Sequence, residues 1–290
     1  MENSKQTLTL EAHAKINLSL DVVGLREDGY HLVKMVMQSL SLCDELTMTL
    51  LPEDEIRLSV DVPGLECDER NLIWKAVALI KETYHIDKGM EIQLKKRIPM
   101  AAGLAGGSSD CAAALKGASE LFGLSLSPDQ LAQLGVQLGA DVPYCLLGKT
   151  ALSEGIGEVL TVLPTLPDCG ILLAKPSMGV STDGVYKALD ALSGYDHPDT
   201  EGILRALEAG DLSGVTERLC NVLELVTIAR HPEIDALKDK IRGTGAMGTL
   251  MSGSGPTVFG IYEDVSKADR AAARLSEGGF NGQVFTARPV

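Results

Sequence analysis

The sequence has few aromatic residues, and its acidic side chains outnumber its basic ones. Aromatics make up 4% of the 290 residues, with Trp74 as the single tryptophan, so we expect a core of aliphatic side chains. There are 26 Lys and Arg against 40 Asp and Glu, which gives a net charge of −14. Such an acidic chain is poorly suited to general binding of nucleic acid or an anionic membrane. A phosphorylated ligand would have to be held locally, by backbone N–H groups and a few cations.

The sequence also lacks long apolar runs, a signal peptide and paired cysteines. No stretch reaches the roughly 18 apolar residues of a membrane span, and residues 1–10 lack a basic-then-apolar layout. The six cysteines contain no CxxC pair, which favours reduced thiols over disulfides or a zinc site. Neither His13 nor His31 has a metal-binding partner at a useful spacing. We therefore expect a cytoplasmic protein without metal–cysteine chemistry.

Periodicity predicts a mixture of strands and helices. Alternating apolar and polar residues indicate strands, and apolar residues at helical spacing over 70–84 indicate the first helix. The segment Ser127-Pro128-Asp129-Gln130 carries the signals of a capped helix start. We predict strands over 7–24, 36–42, 45–51, 56–60, 90–94, 170–175, 248–255, 257–262 and 283–287, and an extended segment over 150–163 that is interrupted at 154–158. Further helices are predicted up to about 122, between 182 and 241, and over 266–275.

The order of these elements predicts the class and the domains. Strands and helices are mixed without strict βαβ alternation, which favours an α+β fold over a doubly wound one. The pattern restarts after Pro164-Thr165-Leu166-Pro167. We therefore predict one domain over residues 1–164 and a second over 165–290.

A glycine-rich stretch, residues 99–110, is the most informative segment. Its glycines let backbone N–H groups approach an anion, and the helix that follows adds the positive end of its dipole. Ser108 and Ser109 supply hydroxyl groups there, and the run Lys95-Lys96-Arg97 lies just upstream. We predict a phosphate-binding loop; the alternative is a plain strand-to-helix turn with Ser109 as the N-cap. The sequence contains no GxxxxGK[ST] motif, which argues against a P-loop NTPase.

A second glycine pattern, residues 243–248, fits the GxGxxG fingerprint of dinucleotide-binding proteins. That fingerprint should follow a strand and open a helix. Here it follows a helix-like segment and precedes a strand, so we do not predict dinucleotide binding.

Several segments together resemble the GHMP small-molecule kinases. Residues 99–115 are similar to the phosphate-binding motif of that superfamily, and residues 250–256 are similar to its C-terminal glycine-rich motif. One branch of the superfamily is similar over four further segments, residues 12–18, 28–31, 139–144 and 154–158. The resemblance spans essentially the whole chain. It implies an N-terminal mixed β/α domain and a C-terminal ferredoxin-like α/β domain, with the active site in the cleft between them. The departures are Ala105 and Lys149, where glycine is frequent, and His13, where proline is frequent.

The resemblance implies a phosphoryl transfer from ATP, with Mg²⁺, to a small molecule that carries a cytidine diphosphate, in isoprenoid precursor synthesis by the non-mevalonate route. It makes Asp141 the catalytic base and Lys15 its charged partner; a structural salt bridge or two unrelated surface charges are the alternatives. Each charge would be costly to bury alone. The implied ATP contacts are Pro99, Met100, Ala101, Ala102, Gly103, Leu104, Ala105, Gly106, Gly107, Ser108 and Ser109.

The implied substrate contacts include aromatic side chains suited to a cytosine. We expect the substrate contacts to be Asn17, Tyr30, His31, Thr182, Tyr186, Gly253 and Ser254. Core packing is the alternative for the tyrosines, and a simple β-hairpin is the alternative for the last two. The magnesium ligand stays open between Ser108 and Glu158. We expect a monomer or weak homodimer; the rival functions are another GHMP kinase, such as a homoserine or mevalonate kinase, and a catalytically silent nucleotide-binding regulator.

Overall fold

The protein is a mixed arrangement of strands and helices in a computed structural model that describes residues 6–290. The strands are β1 (Thr7–Leu25), β2 (His31–Leu51), β3 (Ile56–Val60), β4 (Gly89–Lys95), β5 (Ala151–Glu154), β6 (Val159–Val162), β7 (Gly170–Pro176), β8 (Cys220–Asn221), β9 (Gly248–Met251), β10 (Val258–Tyr262) and β11 (Gly282–Ala287). The helices are α1 (Leu72–Tyr84), α2 (Gly106–Leu121), α3 (Pro128–Leu138), α4 (Val142–Leu147), α5 (Thr182–Leu189), α6 (Thr200–Glu208), α7 (Leu212–Thr216), α8 (Glu224–Arg230), α9 (Pro232–Arg242) and α10 (Val265–Glu277).

Most of the predicted elements are confirmed, with several differences. The two strands predicted over 36–42 and 45–51 are one continuous strand, β2, and neither β8 nor α4 was predicted. The strand predicted over 248–255 ends at Met251. Helix α2 begins at Gly106, before the serines that were expected to open it. The capping box at Ser127 is present, with both reciprocal hydrogen bonds. Among the described residues, no helix is both long and apolar enough to span a bilayer.

The chain divides into two compact units that interleave in sequence. The first takes in the described residues up to Ala14 together with Cys43–Ile98 and Ala105–Gly148. The second consists of Lys15–Leu42, Pro99–Leu104 and Lys149–Val290. Strands β1 and β2 contribute residues to both units, so these units are not continuous segments. The domain boundary after residue 164 stays a prediction.

In the first unit, helices pack on a strand layer in the order β3-β4-β2-β1. Strand β4 buries Met90, Ile92 and Leu94 and turns the residues between them outward, as the alternation predicts. Helix α2 is rich in alanine and approaches the strands closely. A Cβ at Gly117 would lie 2.4 Å from Sδ of Met48. The small residues of α2 thus let aliphatic side chains of the strands fill the core.

In the second unit, four antiparallel strands form a sheet in the order β11-β7-β10-β9, and α9 and α10 pack against it. Strand β10 is buried at all five positions, which explains its continuous apolar sequence. Strands β5 and β6 form a hairpin that extends from β2, and β8 pairs in parallel with β1. This separation of helices from an antiparallel sheet confirms the α+β class.

A buried group of three ionisable side chains joins β2 to the residue after β4 and to α2, all within the first unit. Lys96 Nζ donates to Asp44 and, at 2.6 Å, to Asp110, and all three side chains are buried. Asp110 Oδ1 has no hydrogen-bond partner among the described residues. Burial raises the pKa of Asp110 to about 8, although the Lys96 ammonium opposes the shift.

The basic run Lys95-Lys96-Arg97, which the sequence places just before the glycine-rich stretch, forms ion pairs within the first unit. Lys95 pairs with Glu45 at 2.6 Å and Arg97 pairs with Asp61 at 2.9 Å, while Lys96 is held in the buried group. Each cation is engaged by a carboxylate of the same unit. A contact between this run and a phosphate stays a prediction.

Asp110→Asn should change how stability depends on pH. The folded state binds the Asp110 proton more tightly than the unfolded state, so this favourable contribution is complete below about pH 4 and is lost as pH rises to about 8. Relative to Asp110→Asn, the wild type should lose about 1 kcal/mol of unfolding free energy per pH unit across that window. Urea unfolding at several pH values measures this difference. Asp269→Asn, an exposed carboxylate of α10, is the control; parallel profiles for wild type and Asp110→Asn would contradict the assignment.

Candidate active site

One face of β1 in the second unit is polar and almost completely buried. Lys15, Asn17, Ser19 and Asp21 have relative exposures of 4%, 0%, 0% and 5%. Successive side chains of a strand point to opposite faces, so these four share one face and the intervening apolar residues share the other. Burying polar groups is costly unless they are hydrogen-bonded. This face is therefore a candidate binding site.

Lys15 and Asn17 are hydrogen-bonded to each other and to two glycine-rich segments. Lys15 Nζ donates to Asn17 Oδ1 at 2.8 Å and to the Gly103 carbonyl at 3.1 Å. Asn17 Oδ1 also accepts from the Gly253 backbone N–H at 3.1 Å. An ammonium has three donors, and these contacts use two of them. The arrangement orients Lys15 and leaves one N–H for a ligand.

The turn between β9 and β10 packs directly against the segment that ends at Leu104. Ser252 Oγ donates to the Gly103 carbonyl at 2.9 Å, and a Cβ at Gly103 would lie 2.2 Å from the Ser252 carbonyl oxygen. Gly103 and Gly253 both have positive φ angles, 74° and 58°. Glycine is thus required for this approach. The turn does join a β-hairpin, as the alternative held, and it also contacts Asn17.

Asn221 is a residue of this site that the sequence analysis missed. Its Nδ2 donates to the Met251 and Gly253 carbonyls, both at 2.8 Å, and its Oδ1 accepts from the Leu223 N–H. It lies on β8, opposite Leu20 of β1. A two-residue strand has no readable periodicity. The available signal was a lone amide within an apolar run.

Four of the predicted substrate contacts lie in two linked pairs. Thr182 Oγ1 and Ser254 Oγ are 2.8 Å apart, and the ring centroids of His31 and Tyr186 are 4.7 Å apart with the planes tilted by 36°. Thr182 and Tyr186 are one turn apart on α5, so one face of that helix carries both contacts. His31 Nε2 also lies 2.8 Å from Asp190 Oδ1, a carboxylate that the sequence analysis did not select.

Tyr30 differs from the other predicted substrate contacts. It lies in the turn before β2, its backbone N–H donates to Asp28, and it is 57% exposed. It is therefore not a tyrosine covering the core. None of the contacts described above includes its ring, and its role stays a prediction.

The start of α2 provides unpaired donors in the first unit. The N-cap position is Ala105, with a φ of 56°, and the first turn consists of Gly106, Gly107 and two serines. The first N–H groups of a helix have no intrahelical acceptor. Gly107 is exposed, and a Cβ there would meet only Leu72, at 3.8 Å. This helix start suits an anion.

The sequence suggested two roles for Ser109, as the helix N-cap or as a hydroxyl donor to a phosphate, and its hydrogen bonds fit neither. Its N–H bonds to the Ala105 carbonyl inside the helix, and its Oγ donates to the His13 carbonyl at 2.7 Å. It is therefore neither the N-cap nor an available donor to phosphate. Among the other expected ATP contacts, the side chains of Ala102 and Leu104 are buried. Only their backbone could reach a ligand.

Asp141 lies at the ordered, partly buried turn that the sequence predicts. It follows Gly139, the C-cap of α3, and occupies the N-cap position of α4. Its carboxylate makes no capping hydrogen bond to that helix. The pairing of Asp141 with Lys15 stays a prediction.

Ser108 and Glu158, the two candidates for the magnesium ligand, differ in their surroundings. Ser108 is half-buried in the first turn of α2. Glu158 Oε2 accepts from the Ile156 N–H at 2.6 Å, within the turn between β5 and β6. Glu158 thus already has a structural partner.

The second glycine pattern has the local structure that was expected of it. Residues 243–248 lie between α9 and β9, so the pattern follows a helix and leads into a strand. This order is the reverse of the dinucleotide-binding arrangement.

Comparisons with known proteins agree with these features. Residues 71–149 match the family described as GHMP kinases N terminal domain, and residues 203–281 match GHMP kinases C terminal. The 4-diphosphocytidyl-2-C-methyl-D-erythritol kinase of Lachnospira eligens is 50% identical over 97% of this chain and 98% of its own length. The Bacillus subtilis kinase of the same name is 47% identical over 97% of this chain and 96% of its own length.

Solved structures give the same result. A crystal structure of 4-(cytidine 5'-diphospho)-2C-methyl-D-erythritol kinase matches with a TM-score of 0.83 and 34% identity, over 97% of this chain and 99% of that chain. A homoserine kinase from Cytophaga hutchinsonii matches with a TM-score of 0.78 at 19% identity, over 99% of this chain and 96% of that chain, which shows the shared fold alone. The chain belongs to the GHMP kinases, in the family of the 4-diphosphocytidyl-2-C-methyl-D-erythritol kinases.

Proposed function

We propose that this chain transfers the γ-phosphoryl group of ATP to the 2-hydroxyl of 4-diphosphocytidyl-2-C-methyl-D-erythritol, a step in isoprenoid precursor synthesis. The observation that carries the proposal is the buried Lys15, whose ammonium donates to Asn17 and Gly103 and has one N–H left for a ligand. Relatives that match over nearly their full length are named as kinases of this compound, which supports the choice of substrate.

Phosphoryl transfer depends mainly on positioning and on charge stabilisation. In our proposal the Asp141 carboxylate accepts the proton of the attacking hydroxyl, and Lys15 stabilises negative charge at the reacting groups. Two observations support these roles. The Asp141 carboxylate is not used to cap α4, and Lys15 is fixed in orientation by its two acceptors.

We assign ATP binding chiefly to the backbone of Gly106, Gly107 and Ser108. Their N–H groups open a 16-residue helix, where the helix dipole favours an anion. The first turn contains only glycine and serine, so no carboxylate there repels a phosphate. When bound, ATP supplies the phosphoryl group and Mg²⁺ neutralises phosphate charge. The Ser108 hydroxyl is the better placed metal ligand, since Glu158 already accepts a backbone hydrogen bond.

We assign the cytidine to the pair His31 and Tyr186. Their rings are 4.7 Å apart and tilted, so they present aromatic faces and edges rather than a closed stack. Asp190 holds the His31 ring through Nε2 at 2.8 Å, which fixes the ring for hydrogen bonding. Thr182, one turn before Tyr186 on α5, and its partner Ser254 in the β9–β10 turn would contact the diphosphate or the polyol.

The decisive experiment is a coupled assay of ADP release with purified protein, ATP and Mg²⁺. We expect release that depends on 4-diphosphocytidyl-2-C-methyl-D-erythritol, and no comparable release with homoserine or mevalonate. Turnover of one of those alternatives would replace the proposed substrate. A lack of turnover with every substrate, from protein that binds ATP, would favour a nucleotide-binding regulator.

Asp141→Asn should reduce kcat by at least about 100-fold, because it removes a general base without changing side-chain size. The melting temperature should stay close to that of the wild type. Asp129→Asn, an exposed carboxylate at the start of α3, is the matched control and should keep full activity. Activity close to wild type in Asp141→Asn would rule out its role as the base.

Tyr186→Ala should raise the KM for the cytidine substrate by about 10-fold, which corresponds to the loss of one base–aromatic contact. The KM for ATP should not change. Tyr186→Phe keeps the ring and should stay close to wild type. An equal rise in both KM values would indicate general damage to α5, and an unchanged substrate KM would remove Tyr186 from the site.

Asn17→Ala should lower the free energy of unfolding by about 1–3 kcal/mol, because it leaves a buried ammonium and a backbone N–H short of an acceptor. Ser19→Ala is the matched control on the same face of β1. Ser19 Oγ has no hydrogen-bond partner among the described residues, so this change should cost much less. Equal losses in the two variants, measured by urea unfolding, would show that the Asn17 hydrogen bonds are not what stabilises this face.

A further inference from the structure

A cluster of three metal-ligating side chains lies where β1 meets β2 in the first unit. Thr7 and Thr9 contact Thr49 and Thr47 through their hydroxyl groups, at 3.1 and 3.2 Å, which sets the antiparallel register of the two strands. Continued along the strands, this register places His13 directly opposite Cys43. Glu11 lies two residues from His13, so it points from the same face.

The distances in this cluster suit a small metal ion. The ligand atoms of Glu11, His13 and Cys43 all lie within 4.8 Å of one another, and His13 Nε2 is 3.4 Å from Glu11 Oε2. Ligands bound to tetrahedral Zn²⁺ at about 2.0–2.3 Å lie about 3.3–3.7 Å apart. The imidazole and the carboxylate already have that separation, and rotation of exposed side chains would bring the remaining ligand atoms to it.

The cluster is reachable from solvent and contains a carboxylate. The Glu11 and His13 side chains are 67% and 32% exposed, and Cys43 is partly buried. The Glu11 carboxylate lies beside the His13 imidazole and the Cys43 thiol, and its negative charge attracts a cation.

The donor set selects the class of ion. Sulfur and imidazole nitrogen with one carboxylate oxygen favour Zn²⁺ and similar transition metals, whereas Mg²⁺ prefers oxygen donors and keeps its waters. We propose that Glu11, His13 and Cys43 form a binding site for Zn²⁺ or a related thiophilic divalent ion, with a fourth position open to water. This site is separate from the Mg²⁺ that accompanies ATP. Spacing in the sequence does not reveal it, because Cys43 lies near His13 only through the pairing of two strands.

The site has a structural connection to α2. The His13 carbonyl accepts the hydrogen bond from Ser109 Oγ at 2.7 Å, so the residue that would hold the metal also anchors the first turn of that helix. Metal binding should therefore raise the melting temperature of the wild-type protein.

The test is a Co²⁺ titration of the reduced, full-length chain in excess Mg²⁺ and without ATP or substrate, so that it does not depend on the proposed function. We expect one equivalent of Co²⁺ to bind, with a thiolate-to-metal charge-transfer band that Zn²⁺ removes by displacement. Cys43→Ser should abolish the band, and His13→Gln should weaken affinity at least about 10-fold. Cys67→Ser, an exposed cysteine elsewhere in the unit, should bind like wild type.

The proposal is overturned if the wild type shows no charge-transfer band, if the band persists in Cys43→Ser, or if His13→Gln binds as tightly as wild type. Thermal melting checks that each variant is folded. Should Cys43→Ser fail to fold, Glu11→Gln takes its place, because its side chain is exposed and the change is isosteric. Wild-type affinity in that variant would equally reject the site.

Discussion

The burial of a single ammonium group organises the candidate active site. Lys15 is 4% exposed, and removing such a charge from water is very costly unless acceptors surround it. Asn17 and the Gly103 carbonyl provide those acceptors, and Asn17 in turn holds the turn at Gly253 through its backbone N–H. Strand β1, the segment before Leu104 and the β9–β10 turn are thus joined through the Lys15 ammonium and the Asn17 amide oxygen. A change at any of these positions would disturb the orientation of the lysine.

The acidity of the chain and its phosphate chemistry are compatible because the relevant donors are local. With a net charge of −14, long-range attraction cannot gather polyphosphates. Backbone N–H groups at a helix start carry only partial charges, but they are fixed in direction and cost no reorganisation. The cations of the basic run upstream form ion pairs with Glu45, Asp44 and Asp61, so our proposal assigns phosphate binding chiefly to the backbone at the start of α2.

Much of the fold is predictable from the sequence because long strands and helices can be recognised from the regular spacing of their apolar residues. The alternation in β1 and the capping box at Ser127 are examples. Short elements and contacts between distant residues are not readable in the same way. Asn221 lies on a two-residue strand, and Cys43 faces His13 only because of the register between two strands. The sequence motifs indicate the candidate site residues, whereas the contacts that Asn221 and Asp190 make with some of them required the structure.

The glycines of the loop at the start of α2 are not equivalent. Gly103 is required by packing, since a Cβ there would collide with a backbone oxygen. Gly107 has open space around its Cα and lies within a helix, where glycine is less stable than alanine by about 0.5–1 kcal/mol. No internal contact therefore accounts for that residue. The glycine at 107 leaves its backbone exposed at a helix start, which agrees with our proposal that an ATP phosphate approaches it. Within five residues of sequence, one glycine is thus required by packing and the other leaves room for the phosphate contact that we propose.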